Sequence, residues 1–471
     1  MTAAPTDEER PVAQPSAARD DELELGDPRQ IETEVADVEA PPPPIVRHGG
    51  TFESFRNRDF VWFWFGSLVS NVGSWMQNYA LGIVVFAFRK SEFDLGLVNF
   101  ISGIPVLFLA IAGGALADRV DRRKLLMWIQ LVLIAQAAAL GWLYTSGRLS
   151  PDDPVSALVW VSALGIIAGI FAAVQFPAWQ AMLPDLVPRD TLLNAIALNS
   201  AQFQSSRLVG PLIAGALVVA GAGMGEIFYV NAISFLFVIA ALWIIRPNQM
   251  GASQRAAARR GGTIETLLGG LRYARENRVV GLLILSTAVM TVFGFPYMTL
   301  LPAIVDKSLG FAVSTDGYNR AVAVVMAANG LGAMVGALSV ASLPPTVSRN
   351  RIIPLSLLSF GVLLFAFSLS RTLWLSAAVS ALAGAALMTT NSLANTSIQA
   401  SAPPHLRGRV MGLFVMAFLG IMPISALLFG LIGQFIGPSN AVLVGSLALI
   451  AWALFLVLSG VLLKSADPAR A

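Results

Sequence analysis

Twelve times between residues 60 and 463 the chain settles into an apolar run of roughly 20 to 28 residues, long enough for a helix to cross about 30 Å of hydrocarbon. Nothing else in the sequence restricts the fold so severely. No water reaches the backbone inside a bilayer, so a spanning segment must close its own hydrogen bonds and be a helix. The runs fall near 60–88, 95–117, 125–146, 155–179, 193–220 and 226–245, and after a polar interval near 279–303, 319–342, 352–370, 373–398, 409–436 and 440–463. The expected fold is an all-α polytopic membrane protein with twelve transmembrane helices in two pseudo-symmetric six-helix bundles. A weak repeat supports the two halves: Leu183–Ala195 leads into the fifth run, and Ser401–Gly412 leads into the eleventh, the fifth of its own half.

Composition narrows the chemistry. Hydrophobic residues make up 56% of the chain and charged residues 13%, where a soluble domain carries about 25% charged residues. With no cysteine, disulfides and thiolate metal or redox chemistry are excluded. The two histidines, His48 and His405, are far apart in sequence and read as surface residues rather than ligands. The chain has no G-x-x-x-x-G-K-[ST] phosphate loop and no catalytic constellation. It reads as a non-enzyme with no cofactor and no metal.

Charge sets the expected orientation. Residues 1–44 hold twelve acidic residues against three arginines and close on Pro41–Pro44, so they cannot bury enough apolar surface to fold. They lack the basic start, apolar centre and small-residue cleavage site of a signal peptide. Beyond them, 21 basic residues fall in the loops and tail of one side, and only Arg89, Lys90, Arg148, Lys307, Arg320 and Arg371 fall on the other. The positive-inside bias makes the richer side cytoplasmic, with both termini there, in the plasma membrane. The expected plan is a disordered cytoplasmic tail (1–46), an N-terminal bundle (47–246), a linker (247–278), a C-terminal bundle (279–464) and a short tail (465–471). In the linker, Ile264, Leu267, Leu268 and Leu271 share a face, Thr263 is a candidate N-cap, and Arg272, Arg275 and Arg278 follow. That pattern predicts an amphipathic helix on the inner leaflet. No nucleic-acid partner is expected, and a monomer is.

The loop Gly113–Lys124 (G-G-A-L-A-D-R-V-D-R-R-K) packs six charges between two apolar runs. The small residues before Asp118 allow another helix to approach closely, and its carboxylate is placed to accept hydrogen bonds from a helix N-terminus. Gly114, Asp118, Arg119 and Arg123 resemble the loop between the second and third helices of the major facilitator superfamily, with Asp121 where a second glycine is usual. Gly210, Pro211 and Gly215 resemble the fifth-helix signature of its exporters, with Ser206 replacing a glycine. F-R-N-R-D-F before the first run, Leu183–Gly215 and Ser401–Gly412 extend the likeness over nearly all of residues 50–465. The chain thus resembles the exporter branch that contains enterobactin exporters and macrolide or multidrug efflux proteins. The resemblance implies the major facilitator fold and export of small amphipathic molecules, drug-like compounds or siderophores, by alternating access driven by the proton gradient. It further implies a gate of Gly114, Asp118, Arg119, Arg122, Arg123, Arg407 and Arg409, with Gly210, Pro211 and Gly215 as a pivot.

Arg207 is the charge that falls deep within a run, so it must avoid lipid. Two readings stand: a cavity residue that orders substrate, or a packing residue satisfied by neighbouring helices. Asn199, Gln202, Phe203, Ser206 and Gly210 share one face of the same helix. The first run offers Asn71, Ser74, Trp75 and Asn78, and the fourth offers Phe171, Gln175 and Trp179. The seventh has Thr291 and Tyr297 beside Pro296, and the eighth has Asn329. The tenth has Thr389, Ser392, Thr396 and Gln399 on one face with Asn391 and Asn395 beside it. From these the expected substrate contacts are Asn71, Trp75, Asn78, Gln175, Trp179, Asn199, Gln202, Phe203, Arg207, Tyr297, Asn329, Asn391 and Asn395. Such a lining is apolar and aromatic with scattered amides and one cation, which suits a bulky amphipathic molecule. No carboxylate or histidine falls at mid-depth, since Asp59, Asp118, Glu226, Asp306 and Asp316 sit near run ends. Protons as coupling ion therefore rest on the resemblance. An importer, a lipid-moving protein and a non-transporting sensor or assembly partner remain open as alternatives.

Overall fold

The computed structural model describes residues 52–188, 190–245, 263–313, 315–343, 349–403 and 406–460, without the side chains of 110–112, 114, 115, 117–119, 193, 263–268, 341, 349 and 350. The expected acidic tail, His48, His405, most of the linker before Thr263 and the last eleven residues lie outside the described residues. The first half supplies α1 (Arg58–Arg89), α2 (Glu92–Arg119), α3 (Arg122–Thr145), α4 (Pro154–Leu186), α5 (Leu192–Val219) and α6 (Met224–Ile244). The linker helix α7 (Thr263–Glu276) follows. The seventh span comes in three pieces, α8 (Arg278–Gly294), α9 (Pro296–Thr299) and α10 (Leu301–Lys307), because Pro296 and Pro302 bring no N–H to the helical ladder. Then come α11 (Asp316–Ala341), α12 (Arg349–Leu369), α13 (Leu373–Ser401), α14 (Arg407–Val415), α15 (Met422–Ile436) and α16 (Pro438–Ser459). A π-helical turn, Met416–Gly420, joins α14 to α15 just before Pro423. No strand occurs among the described residues.

Local chemistry explains the ends. Ser91 caps α2 by accepting from the Asp94 amide at 3.2 Å, which starts the helix three residues before the apolar run near 95. Asp121 caps α3, accepting from the amides of Arg123 (3.0 Å) and Lys124 (3.2 Å). The aspartate that departs from the superfamily pattern thus has a structural task of its own. Asp153 caps α4 ahead of Pro154, and α4 continues to Leu186, beyond the run expected to end at 179.

Ten spans pass a test of length and apolar composition alone. The spans that fall short are α1 and α5, whose polar residues lower their apolar content although they run 32 and 28 residues. Both pack against other helices of the N-terminal half, and α5 also meets the other half. There α2 lies on α4, α3 on α6, and α1 on α5 and α6. The second half repeats the scheme, with α11 on α13, α12 on α16, and α8 on α16. Two seams join the halves. One runs between α2 and α15, the other between α5 and α11, so the second and fifth spans of each half meet the fifth and second of the other.

Candidate functional site

Arg207 lies midway along α5 with 7% of its surface exposed. Its Nη2 donates to Oδ1 of Asn329 on α11. The Asn329 amide in turn donates to the Tyr297 hydroxyl and, at 3.1 Å, to the Ser380 carbonyl on α13. Trp75 of α1 lies beside the guanidinium, ring centroid to Cζ 5.5 Å, and Phe203 meets Trp75 edge-on at 6.2 Å. Tyr297 sits in the broken seventh span, its ring held edge-on by Phe360 (6.3 Å) and Phe367 (5.7 Å). The proline break therefore sets the Tyr297 side chain against Asn329 rather than along a continuous helix. Six elements from both halves converge here, α1, α5, α9, α11, α12 and α13.

The electrostatics of this cluster are lopsided. No carboxylate pairs with Arg207 among the described residues. A buried charge needs compensation, and here it receives one amide oxygen and an aromatic face, the latter contributing on the order of 1–2 kcal/mol. Close packing surrounds it. A methyl group on Gly330 of α11 would come within 2.6–2.8 Å of the Arg207–Leu208 backbone, and one on Gly210 would lie 2.5 Å from Trp75 Cβ.

The other expected contacts divide. Gln202 is buried and its amide nitrogen has no partner among the described residues. Asn391 is half-buried, its Oδ1 without a partner among the described residues, while Asn395 accepts from Gln399 at 2.8 Å. Asn71, Gln175 and Asn199 are half-buried and Asn78 is exposed. Trp179 does not join the cluster: it packs on Phe63 at 4.6 Å, in a separate apolar core with Leu126 and Leu198. Two contacts were not anticipated from sequence. Gln204 reaches the Met388 sulfur at 2.8 Å, and the Ser380 carbonyl completes the Asn329 bonds. Both are pairings across the fold that no local spacing encodes.

On the face bearing the α2–α3 loop, called here the basic face, Arg122 Nη1 reaches Asp185 (3.2 Å) and the Ala181 carbonyl (3.1 Å) on α4. Arg123 donates to the Leu242 carbonyl and, at 2.7 Å, to that of Trp243. These cations bind helix C-terminal carbonyls and tie α3 to α4 and α6 within one bundle. Gly114 lies within α2, and the side chains of Asp118 and Arg119 lie outside the described residues. Pro211 is accommodated inside continuous α5, and a methyl group on Gly215 would lie 2.5 Å from Ala323 in the seam. Arg407 is exposed, whereas Arg409 covers Gly269 of α7. Helix α7 docks on the C-terminal half, where Tyr273 donates to the Ser401 carbonyl at 2.9 Å.

The opposite face carries charges absent from the expected site. Lys307 lies 2.7 Å from Glu92 and Lys90 lies 3.8 Å from Asp306, both across the halves, and Ser91 donates to Gln434 of α15 at 3.1 Å. The S-x-x-D cap at Ser91–Asp94 is the signal that could have placed Glu92 inside a helix. Toward the basic face Phe108 is 72%, Phe203 46% and Met416 42% exposed.

A family model described as transmembrane secretion effector matches residues 49–468. The chain is 24% identical to the staphyloferrin A transporter of Staphylococcus aureus over 80% of this chain and 90% of that one. It is 25% identical to the multidrug efflux pump Tap of Mycolicibacterium fortuitum (78% and 87%) and to the enterobactin exporter EntS of Escherichia coli (79% and 84%). Among solved structures, the nucleoside transporter NupG superposes with a TM-score of 0.68 at 12% identity, over 85% of this chain and 99% of that one. At that identity the likeness speaks for the fold alone.

Proposed function

The chain belongs to the transmembrane secretion effector family of the major facilitator superfamily, and from that membership we propose that it expels small amphipathic molecules by alternating access, powered by the proton gradient. It is a multi-pass membrane transporter of the siderophore and multidrug exporter type. The basic face is taken as cytoplasmic, with both termini on that side. The division into bundles 47–246 and 279–464 belongs to the same reading.

The observation that carries the proposal is the Arg207–Asn329–Tyr297 cluster with Trp75 beside it. Both halves contribute to it, so rocking one half against the other remakes or breaks it. Substrate sites of such folds lie at mid-membrane between the halves. A guanidinium without a carboxylate favours a cargo carrying negative charge or an aromatic face, and Phe203 and Trp75 supply apolar area for the rest.

The test is accumulation of amphipathic dyes, macrolides and siderophores in cells expressing wild type or Arg207→Gln, with and without a protonophore. Lower accumulation that needs both Arg207 and the gradient is expected, with Arg207→Gln losing roughly tenfold in transport rate, equivalent to about 1.4 kcal/mol. Unchanged or faster accumulation in cells making the wild-type protein would overturn the export reading.

A further inference from the structure

At the end of the α5–α11 seam nearest the opposite face, the two halves leave a groove of about 200 Å³. Leu212, Ala216 and Val219 of α5 line one side, Arg320 and Val324 of α11 the other, with Gly215 and Ala323 where the halves meet. Apart from the guanidinium, every side chain in it is apolar. Drug-sized ligands occupy pockets of about 300–1,000 Å³, so this groove suits a single chain rather than a bulky cargo.

Helical period shows which way the groove faces. On α5, Leu212, Ala216 and Val219 share an exposed flank turned away from Gly210, which packs on Trp75 of α1. On α11, exposed Arg320 heads a stripe continued by exposed Leu331, Val335 and Leu338. The groove therefore opens to the hydrocarbon and not to the space beside Phe203. Depth places the charge. Asn329 stands near the middle of α11 and Arg320 precedes it by nine residues, about 13 Å at ~1.5 Å per residue. Half the hydrocarbon thickness is about 15 Å, so the guanidinium lies where acyl chains give way to phosphates. No acidic side chain forms an ion pair with it among the described residues, although Asp316 lies one turn earlier on the same helix. Snorkelling alone would carry this arginine to water, but it needs no groove beside it.

We propose that the groove binds one glycerophospholipid from the leaflet of the opposite face, with its phosphate on Arg320 and an acyl chain against Leu212, Ala216 and Val219. A guanidinium and a phosphate pair through two parallel N–H···O bonds. The chain leaves neighbouring lipid at little cost, because lipid tails and these side chains are equally apolar. The headgroup is held by α11 and the chain by α5, so the lipid bridges the two halves and favours the arrangement in which Gly215 and Ala323 lie together. It is a resident lipid rather than cargo, and it stands whether or not the chain exports amphipathic molecules.

The test is native mass spectrometry of the full-length protein with phosphatidylglycerol, a chain-matched glucosyl diacylglycerol that lacks phosphate, and inorganic phosphate that lacks chains. The wild type is expected to bind one phosphatidylglycerol roughly tenfold more tightly than the glucolipid, and inorganic phosphate not at all. Arg320→Gln should lower phosphatidylglycerol to the level of the glucolipid, and Arg320→Lys should keep most of the preference. Ala216→Trp, at an exposed position, fills the groove and should weaken both lipids. Arg148→Gln, an arginine held over Trp142 elsewhere on the same face, should leave the preference intact. Phosphatidylglycerol should also raise the unfolding temperature of the wild type more than that of Arg320→Gln. A preference that survives Arg320→Gln or is lost in Arg148→Gln, or lipid binding untouched by Ala216→Trp, would overturn the proposal. Tight binding of inorganic phosphate would overturn it too, since Arg320 would then serve a soluble anion.

Discussion

The two seams between the halves are related by the internal repeat, yet they are held by different means. Between α2 and α15 the contact is backbone on backbone, with Gly96 against Gly430 and a charge pair at its end. Between α5 and α11 the centre is a hydrogen-bonded cluster around a cation that no carboxylate pairs with among the described residues, with Gly330 letting the helices close over it. The difference separates tasks that a symmetric fold leaves undivided. A glycine seam has two discrete states, packed or parted, and suits a gate. A polar cluster made from both halves can accept a ligand's polar groups in place of its own, and suits a binding site.

Breaking the first seam has the largest expected effect. Gly430→Leu drives a side chain into the Glu92 backbone, and overpacking of this kind costs about 1–3 kcal/mol. Substrate transport in proteoliposomes should fall to background. The second seam is sharpened by Asn329→Asp, which gives Arg207 the carboxylate it lacks. Thermal stability should be kept or rise, while binding of an anionic substrate measured by calorimetry weakens by roughly tenfold, about 1.4 kcal/mol. Unaltered affinity would make Arg207 a packing residue and erase the contrast between the seams. Asp118→Asn, on the basic face, is expected to slow turnover several-fold, on the order of 1 kcal/mol in the barrier, without loss of substrate binding. Equal turnover in that variant would remove the basic-face latch. Deleting residues 1–44 should change transport least, and loss of flux in a well-expressed deletion would give the acidic tail a role.

Much of the fold was legible in sequence because membrane spanning is a local property. Apolar run length and loop charge depend on neighbouring residues only. The site was legible in part. Arg207, Asn329, Tyr297, Trp75 and Phe203 stood out as polar or aromatic residues in apolar helices, and the structure brings those five together. Trp179 satisfied the same spacing on α4 but packs on Phe63, because a helical face specifies direction and not the neighbour it meets. The linker helix was expected from its apolar face and its arginines, but its docking on the C-terminal half, where Gly269 and Gly270 admit Arg409 and Leu413, depends on residues that local pattern does not identify.

By itself the sequence determined that this protein is a bundle of spanning helices in two related halves, and that the first, fourth, fifth, seventh and tenth spans carry polar residues lipid would reject. Only the tertiary structure decided which of those residues meet. It set Arg207 on Asn329, 122 positions away, and it buried Glu92, which falls between two apolar runs, against Lys307. The physical reason is that helix formation is written in a period of a few residues. Compensation of a buried charge depends on whichever distant side chain the packing delivers.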